Sequence, residues 1–253
     1  MIANGLYGNN VELYDIAFDW DLADEVKWLL ARLGKDCKTI LEPGCGSGRM
    51  LKAFAERGVT ITGFDISEEA IAYAQSRLSG LSNATANLGD MTSFDFGCVF
   101  DGAICPINTL AHLPPGPLAK HLQCMGRHLR PGSRYLVQIA MRAQGKSAEN
   151  EVIEWEASRG GTRLKISVEI IETDFENMRE LHCFRVNVLE GSRIGEVLEE
   201  NHWMTLWTPD LWRDVMDASP FTQIAQYDGS LIERPQVTIG QPGNLMWHEL
   251  RQV

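Results

Sequence analysis

The chain has 253 residues, 44% hydrophobic and 23% charged, the balance of a globular protein with a sizeable core rather than of a disordered chain. Lys and Arg number 23 against 34 Asp and Glu, a formal charge of −11, and no basic run stands out, so a nucleic-acid partner is not expected. The opening MIANGLYGNN has no positive n-region or apolar stretch, and no window approaches the ~18 apolar residues of a membrane span. No signal peptide or membrane association is therefore expected, and the expected setting is cytoplasmic.

In chain order, Asp21 is placed to cap a helix carrying Leu22, Val26, Leu29, Leu30 and Leu33 on one face, ended by Gly34. A strand over Thr39 to Glu42 runs into the turn PGCGSG. A helix with Leu51, Phe54 and Ala55 inward follows, closed by Gly58. Ile61 to Asp65 reads as the next strand, and Ser67 caps a helix bearing Ala70, Ile71, Ala74 and Leu78. Further strands are expected at Ala84 to Leu88 and Val99 to Cys105. A helix with Leu118, Leu122, Met125 and Leu129 stops at Arg130-Pro131-Gly132, and Arg134 to Ala140 is strand again. Strands joined by single helices predict an α/β, doubly wound parallel sheet.

After Ala143 the pattern changes. Glu151–Ser158, Arg163–Thr173, Arg179–Leu189 and Glu196–Leu206 alternate polar and apolar residues, and Gly160-Gly161 supplies a tight turn. This predicts an antiparallel β insertion over residues 150–207 within a single domain of residues 1–253, one face buried and one wet. Its edges would allow two chains to pair as a homodimer. Thr208-Pro209-Asp210 starts a last helix, and Phe221–Tyr227 and Leu245–Leu250 are the closing strands, with a Pro/Gly-rich loop between them.

Most of the functional information lies in Glu42-Pro43-Gly44-Cys45-Gly46-Ser47-Gly48. Glycines between a strand and a helix let the backbone turn sharply and come close to a ligand. Asp65, at the end of the following strand, can accept from both hydroxyls of a ribose. The pair predicts a nucleoside-containing cofactor. A dinucleotide site needs GxGxxG, but here the spacing is GxGxG with Arg49 in the next position. Glu42 would oppose a pyrophosphate and suits a cofactor carrying an ammonium and a sulfonium, as S-adenosylmethionine does. Gly89-Asp90-Met91 offers a carboxylate to an adenine amino group, and Ile66 an apolar face to its ring.

With these residues the chain resembles the class I S-adenosylmethionine-dependent methyltransferases of small-molecule type. The matching segments are Glu42-x-Gly44-x-Gly46-x-Gly48, Gly63-Phe64-Asp65, Gly89-Asp90-Met91 and Leu129-Arg130-Pro131-Gly132. The resemblance implies a Rossmann-like, seven-stranded, mostly parallel sheet whose last strand is antiparallel. It also implies that Gly44, Gly46 and Gly48 line the methionine and ribose, that Asp65 holds the ribose, and that Asp90 and Met91 hold the adenine.

Methyl transfer is an in-line displacement, so acceptor residues are expected beyond the fourth strand. Asn108 is a candidate for cofactor or acceptor, and His112 a candidate general base. Cys105–Leu113 lacks the Asn/Asp-Pro-Pro-aromatic motif of many nucleic-acid methyltransferases, in keeping with a small-molecule acceptor. Tyr14, in Tyr14-Asp15-Ile16-Ala17-Phe18, resembles the lid tyrosine of small-molecule methyltransferases, with Tyr7 as a second candidate. His202-Trp203 and the following Trp207-Thr208-Pro209 resemble the end of the insert in enzymes that N-methylate amino sugars. His202, Trp203, Trp155 and Trp207 are therefore candidates to line the acceptor pocket. No HxxxH or HExxH pair occurs, so no metal is expected. The expected reaction is methylation of a small acceptor, an amine nitrogen before a hydroxyl or carboxylate oxygen. A cofactor-binding protein without turnover and a nicotinamide-dependent oxidoreductase are the alternatives.

Overall fold

The computed structural model describes residues 10–253, so Tyr7 lies outside the described residues. Helices α1 (Val11–Ala17) and α2 (Ala23–Leu33) precede a run of alternating elements: β1 (Thr39–Pro43), α3 (Arg49–Ala55), β2 (Thr60–Asp65), α4 (Glu68–Arg77), β3 (Ala84–Leu88), β4 (Phe100–Cys105), a 3-10 turn (Thr109–His112), α5 (Pro115–His128) and β5 (Leu129–Met141). Strands β6 (Val152–Arg159), β7 (Thr162–Asp174), β8 (Arg179–Glu190) and β9 (Val197–Thr205) follow. The chain ends in α6 (Pro209–Asp217), β10 (Phe221–Asp228), β11 (Gln236–Val237) and β12 (Gly243–Gln252).

The main sheet has the order β11-β10-β12-β5-β4-β1-β2-β3. Its β1, β2, β3, β4 and β5 pair in parallel, while β12 runs antiparallel between β5 and β10. β1 is buried over almost its whole length because helices cover both faces of the sheet. On one face Leu29 of α2, Phe54 of α3 and Ile71 of α4 pack over Ile40 and Ile61. On the other, Leu122 and Met125 of α5 join Trp212 of α6 over Leu41 and Tyr135.

Three expectations need adjusting. The two residues of β11 pair with β10 and add an eighth strand at the edge, inside what reads as a long loop. Asp21 sits one position before the helix cap, and its Oδ1 accepts from Ala23 N at 2.8 Å. The strand after α5 starts at Leu129 rather than Arg134, because Leu129 already pairs with Phe100 before a bulge and resumed pairing from Arg134.

The second sheet is the four-stranded meander β6-β7-β8-β9, antiparallel throughout. Each of its strands lies within about two residues of the boundary expected from period-two alternation. Its inner face packs on α1: Leu164, Ile166, Val186 and Val188 form one cluster with Leu13, Ile16, Ala17 and Phe18. The short first helix is thus clamped between the meander and the glycine turn, which puts both at the carboxyl ends of the parallel strands.

Candidate functional site

The turn after β1 uses all three of its glycines in left-handed backbone, at φ +66 for Gly44, +51 for Gly46 and +75 for Gly48. A side chain at Gly44 would meet Thr109 Cγ2 at 2.5 Å, and one at Gly48 would meet Ala74 Cβ at 2.9 Å. Asp65, at the end of β2, braces the turn: its Oδ2 accepts from Gly46 N at 2.9 Å and its Oδ1 from Ser67 N at 3.0 Å. A carboxylate has further lone pairs, so this bracing leaves it able to accept from a ligand hydroxyl.

A narrow cleft is lined by Glu42, the glycine turn, Tyr14, Arg49, Pro106, Ile107 and Thr109. Glu42 is 2% exposed, and among the described residues its Oε2 has no hydrogen-bond partner. Burial pushes its carboxyl up to about 8, against the pull of Arg49 and helped by the nearby Asp65 and Glu25. Arg49, the first residue of α3, donates to Phe18 O at 3.3 Å through Nη1, while its buried Nη2 has no hydrogen-bond partner among the described residues. Sequence reading used Arg49 only as a missing glycine. Here it is the cationic wall of the cleft. A wider hollow on Leu33–Cys37 and Arg130–Arg134 lies at the opposite, amino-terminal ends of the strands, where open parallel sheets do not bind ligands.

At the far side of the turn, Met91 Sδ comes within 3.6 Å of where a Gly44 side chain would begin. His121 of α5 holds the Met91 carbonyl at 3.0 Å through Nδ1 and meets the Tyr135 hydroxyl at 2.9 Å through Nε2. Asp90 accepts from Thr92 N and Oγ1 at 2.7 and 2.8 Å, which lowers its pKa. Ile66 is 63% exposed beside Asp65. Asn108 is committed elsewhere: its Oδ1 accepts from Ala140 N at 2.9 Å, and its left-handed φ of 57° starts the 3-10 turn.

Tyr14 lies over the turn, its ring edge within 3.9 Å of the Gly46 side-chain position. Burial drives its phenol up to about 12, with Arg49 opposing and Asp65, Asp15 and Glu42 adding to the rise, so it can donate a proton-bearing hydroxyl but not act as a base near neutrality. Its neighbour Asp15 escaped sequence reading as more than part of the lid motif. It is 1% exposed and gathers Ser47, Tyr73, Arg77 and Arg159 around one carboxylate.

The acceptor-side candidates separate. His112 ends the 3-10 turn, and its ring meets that of His202 edge to face at 5.9 Å between centroids. His202 pairs across β8–β9 with His182 and has Glu200 Oε1 at 3.4 Å. The His112 side chain is exposed. Desolvation of its ring by the atoms around it, with His202 and His182 adding to it, lowers its pKa to about 4. His112 therefore holds a proton less readily than an ordinary imidazole. Trp203 also needs correction: strand alternation turns it away from His202 to the outer face, 37% exposed under the Arg179 guanidinium at 4.1 Å. Trp155 donates to Ala17 O at 2.7 Å and packs on α1, and Trp207 is buried in the main core against Trp212. Among the described residues no group of three or more His, Cys, Asp or Glu is arranged to hold a metal. No helix among them is long and apolar enough to cross a membrane.

This strand order is that of a Rossmann-like methyltransferase fold, a mostly parallel sheet with an antiparallel strand inserted near one edge. Residues 40–132 match the family described as a methyltransferase domain. The ubiquinone biosynthesis O-methyltransferase of Pseudomonas paraeruginosa (strain DSM 24068 / PA7) is 30% identical over 122 residues, 46% of this chain and 50% of that protein. The chain thus spans about half the length of the curated relatives it matches. Among solved structures, an amino pentose methyltransferase of Micromonospora echinaspora with bound S-adenosylmethionine superposes with TM-score 0.74 at 19% identity, covering 99% of this chain and 100% of that one. DesVI of Streptomyces venezuelae gives 0.77 at 17%, over 95% and 98%. A sugar N-methyltransferase of Streptoalloteichus gives 0.73 at 18%, over 96% and 92%. At such identities the likeness is one of fold, and it extends over the meander as well as the main sheet.

Proposed function

We propose that this chain transfers a methyl group from S-adenosylmethionine to a small-molecule acceptor, and that the acceptor atom is an amine nitrogen. The observation that carries the reading is the pair of buried atoms on one cleft that lack a hydrogen-bond partner among the described residues, Glu42 Oε2 and Arg49 Nη2. Buried polar groups are normally satisfied, so a carboxyl and a guanidinium beside a glycine turn fit the ammonium and carboxylate of an amino-acid moiety, the ammonium favouring the ionised form of Glu42. When bound, S-adenosylmethionine supplies an electrophilic methyl group on a sulfonium.

The chain's own residues then divide the work. Glu42 and Arg49 hold the amino-acid end, and Gly44, Gly46 and Gly48 keep side chains out of its path. Asp65 takes the ribose, and Asp90, Met91 and Ile66 border the adenine. Asn108 acts from behind by fixing the turn that ends at His112. Tyr14 covers the cleft and keeps water out. The segment 150–207, read as an insertion within one methyltransferase domain, covers the acceptor.

An amine attacks through its lone pair and emerges carrying a proton that must leave. At about 4, His112 holds a proton poorly near neutrality. Its neighbour His202 is lowered by burial but supported by the Glu200 carboxylate, and is the better acceptor of that proton. A hydroxyl acceptor, which the names of the curated relatives favour, demands a stronger base, and neither His112 nor Tyr14 is one. The amine reading also agrees with the sugar N-methyltransferase among the structural neighbours.

Calorimetry with S-adenosylmethionine, S-adenosylhomocysteine and NAD tests the cofactor. Binding of the first two is expected, and binding of NAD alone would end the reading. Methyl-¹³C donor incubated with panels of primary amino sugars and of phenols tests the acceptor. Label on nitrogen is expected, and label on phenolic oxygen alone would replace the amine.

A further inference from the structure

A buried carboxylate on the lid helix joins regions of the chain that the proposed reaction must coordinate. Asp15 Oδ1 accepts from Ser47 Oγ, inside the glycine turn, at 2.6 Å. Its Oδ2 accepts from Tyr73 Oη of α4 at 3.1 Å and pairs with Arg77 of the same helix. From the other side Arg159, at the end of β6, reaches Oδ2 through Nη1 at 2.6 Å and donates to Tyr73 Oη through Nη2 at 3.1 Å. Two cations and two hydroxyls converge on a group that is 1% exposed. An isolated charge so buried costs several kcal/mol, and only this number of partners makes it tenable.

The placement matters more than the stability. Asp15 directly follows Tyr14, and Ser47 lies between Gly46 and Gly48, so the network ties the lid tyrosine to the turn it covers. The cleft beneath has a cavity of only about 30 Å³ against the ~300–1,000 Å³ usual for small-molecule sites, so the elements that close it, α1 among them, must shift to admit a nucleoside. Arg159 belongs to the meander and does not line that cleft. Resting on the methyltransferase reading, we infer that Asp15 is the positioning residue that latches α1 over the cofactor cleft, and that Arg159 gives the acceptor-side sheet a hand on this latch. The meander then does more than cover the acceptor, because whatever moves β6 loosens or tightens the grip on the cofactor.

The test uses the full chain and S-adenosylhomocysteine as probe. Arg159→Met removes a partly exposed side chain that does not line the cleft. It is expected to weaken S-adenosylhomocysteine binding about tenfold, within the range of coupling between distinct sites, and to speed its dissociation. Hydrogen exchange of the amides of residues 11–18 should rise in the same variant, while exchange in β1 and β4 stays unchanged. Arg159→Lys, which keeps the charge, should restore binding, a recovery that loss of packing alone would not give. Asp15→Asn should show the larger effect. If that variant does not fold, Arg159→Met carries the test alone. Wild-type binding with Arg159→Met and Arg159→Lys both within twofold of it overturns the latch and leaves the methyltransferase reading standing. Absence of binding by the wild type overturns both.

Discussion

The rings of His112 and His202 meet edge to face at 5.9 Å, joining the turn after β4 to the last strand of the meander. Their environments differ. His112 is pushed down to about 4, whereas His202 has a carboxylate partner in Glu200. In a ring-proton NMR titration His112 is expected to remain neutral down to pH near 4. With an amine acceptor, His202→Gln should lower kcat more than His112→Gln does. Glu200→Gln should move the acidic limb of kcat/KM to lower pH, since losing the carboxylate lowers the imidazole pKa. An acidic limb that follows His112 instead would reverse the assignment.

Glu42 trades stability for binding. Its carboxyl titrates near 8 in the folded protein against 4.5 ordinarily, so between those values the folded state holds a proton that the unfolded state has released. Stability from this residue is therefore lost as pH rises from 4.5 to 8. Glu42→Gln should raise the Tm of the ligand-free protein at pH 8 and weaken S-adenosylhomocysteine binding by ~1.5–3 kcal/mol, the range for a hydrogen bond to a charged group. Because an ammonium ligand favours the ionised carboxylate, wild-type binding should release a proton and tighten as pH climbs towards 8. Calorimetry in buffers of different ionisation enthalpy measures this.

Gly44→Ala faces two costs, a left-handed φ of 66° and a contact of 2.5 Å with Thr109 Cγ2. The backbone cost alone is ~1–3 kcal/mol. Denaturant titration should show a loss of this size or more, and addition of Thr109→Ser should recover part of it, because serine keeps the hydroxyl that donates to Pro106 O at 2.8 Å and lacks the methyl.

Acid sensitivity should begin above the carboxylate range. His121 is lowered to about 4 and His248 to about 3, both chiefly by burial. Below 6.5 the unfolded chain takes up these protons and the folded chain does not, so stability falls as pH drops from 6.5 towards 4. A Tm profile over that range is the measurement. His248→Gln should flatten it, and a Tm constant from pH 6.5 to 5 would contradict the folded-state assignment.

The cofactor side of the protein is written locally in its sequence. A strand running into Gly44, Gly46 and Gly48 has few ways to turn, and an acid at the end of the next strand must stand beside that turn. The parallel sheet and the meander are legible for the same reason, since periodicity is a property of neighbours in the chain. The alternation in β9 shows that His202 and Trp203 point opposite ways. Which of them faces inward depends on the packing of the meander against α1, and this brings His202 to His112 and leaves Trp203 outside under Arg179. Arg49 and Asp15 show the limit more sharply. Each is one charge among many in the sequence, and their meaning comes from burial beside partners on other elements. Only the folded chain excludes enough water to make one unpaired atom, or one four-partner carboxylate, a matter of several kcal/mol.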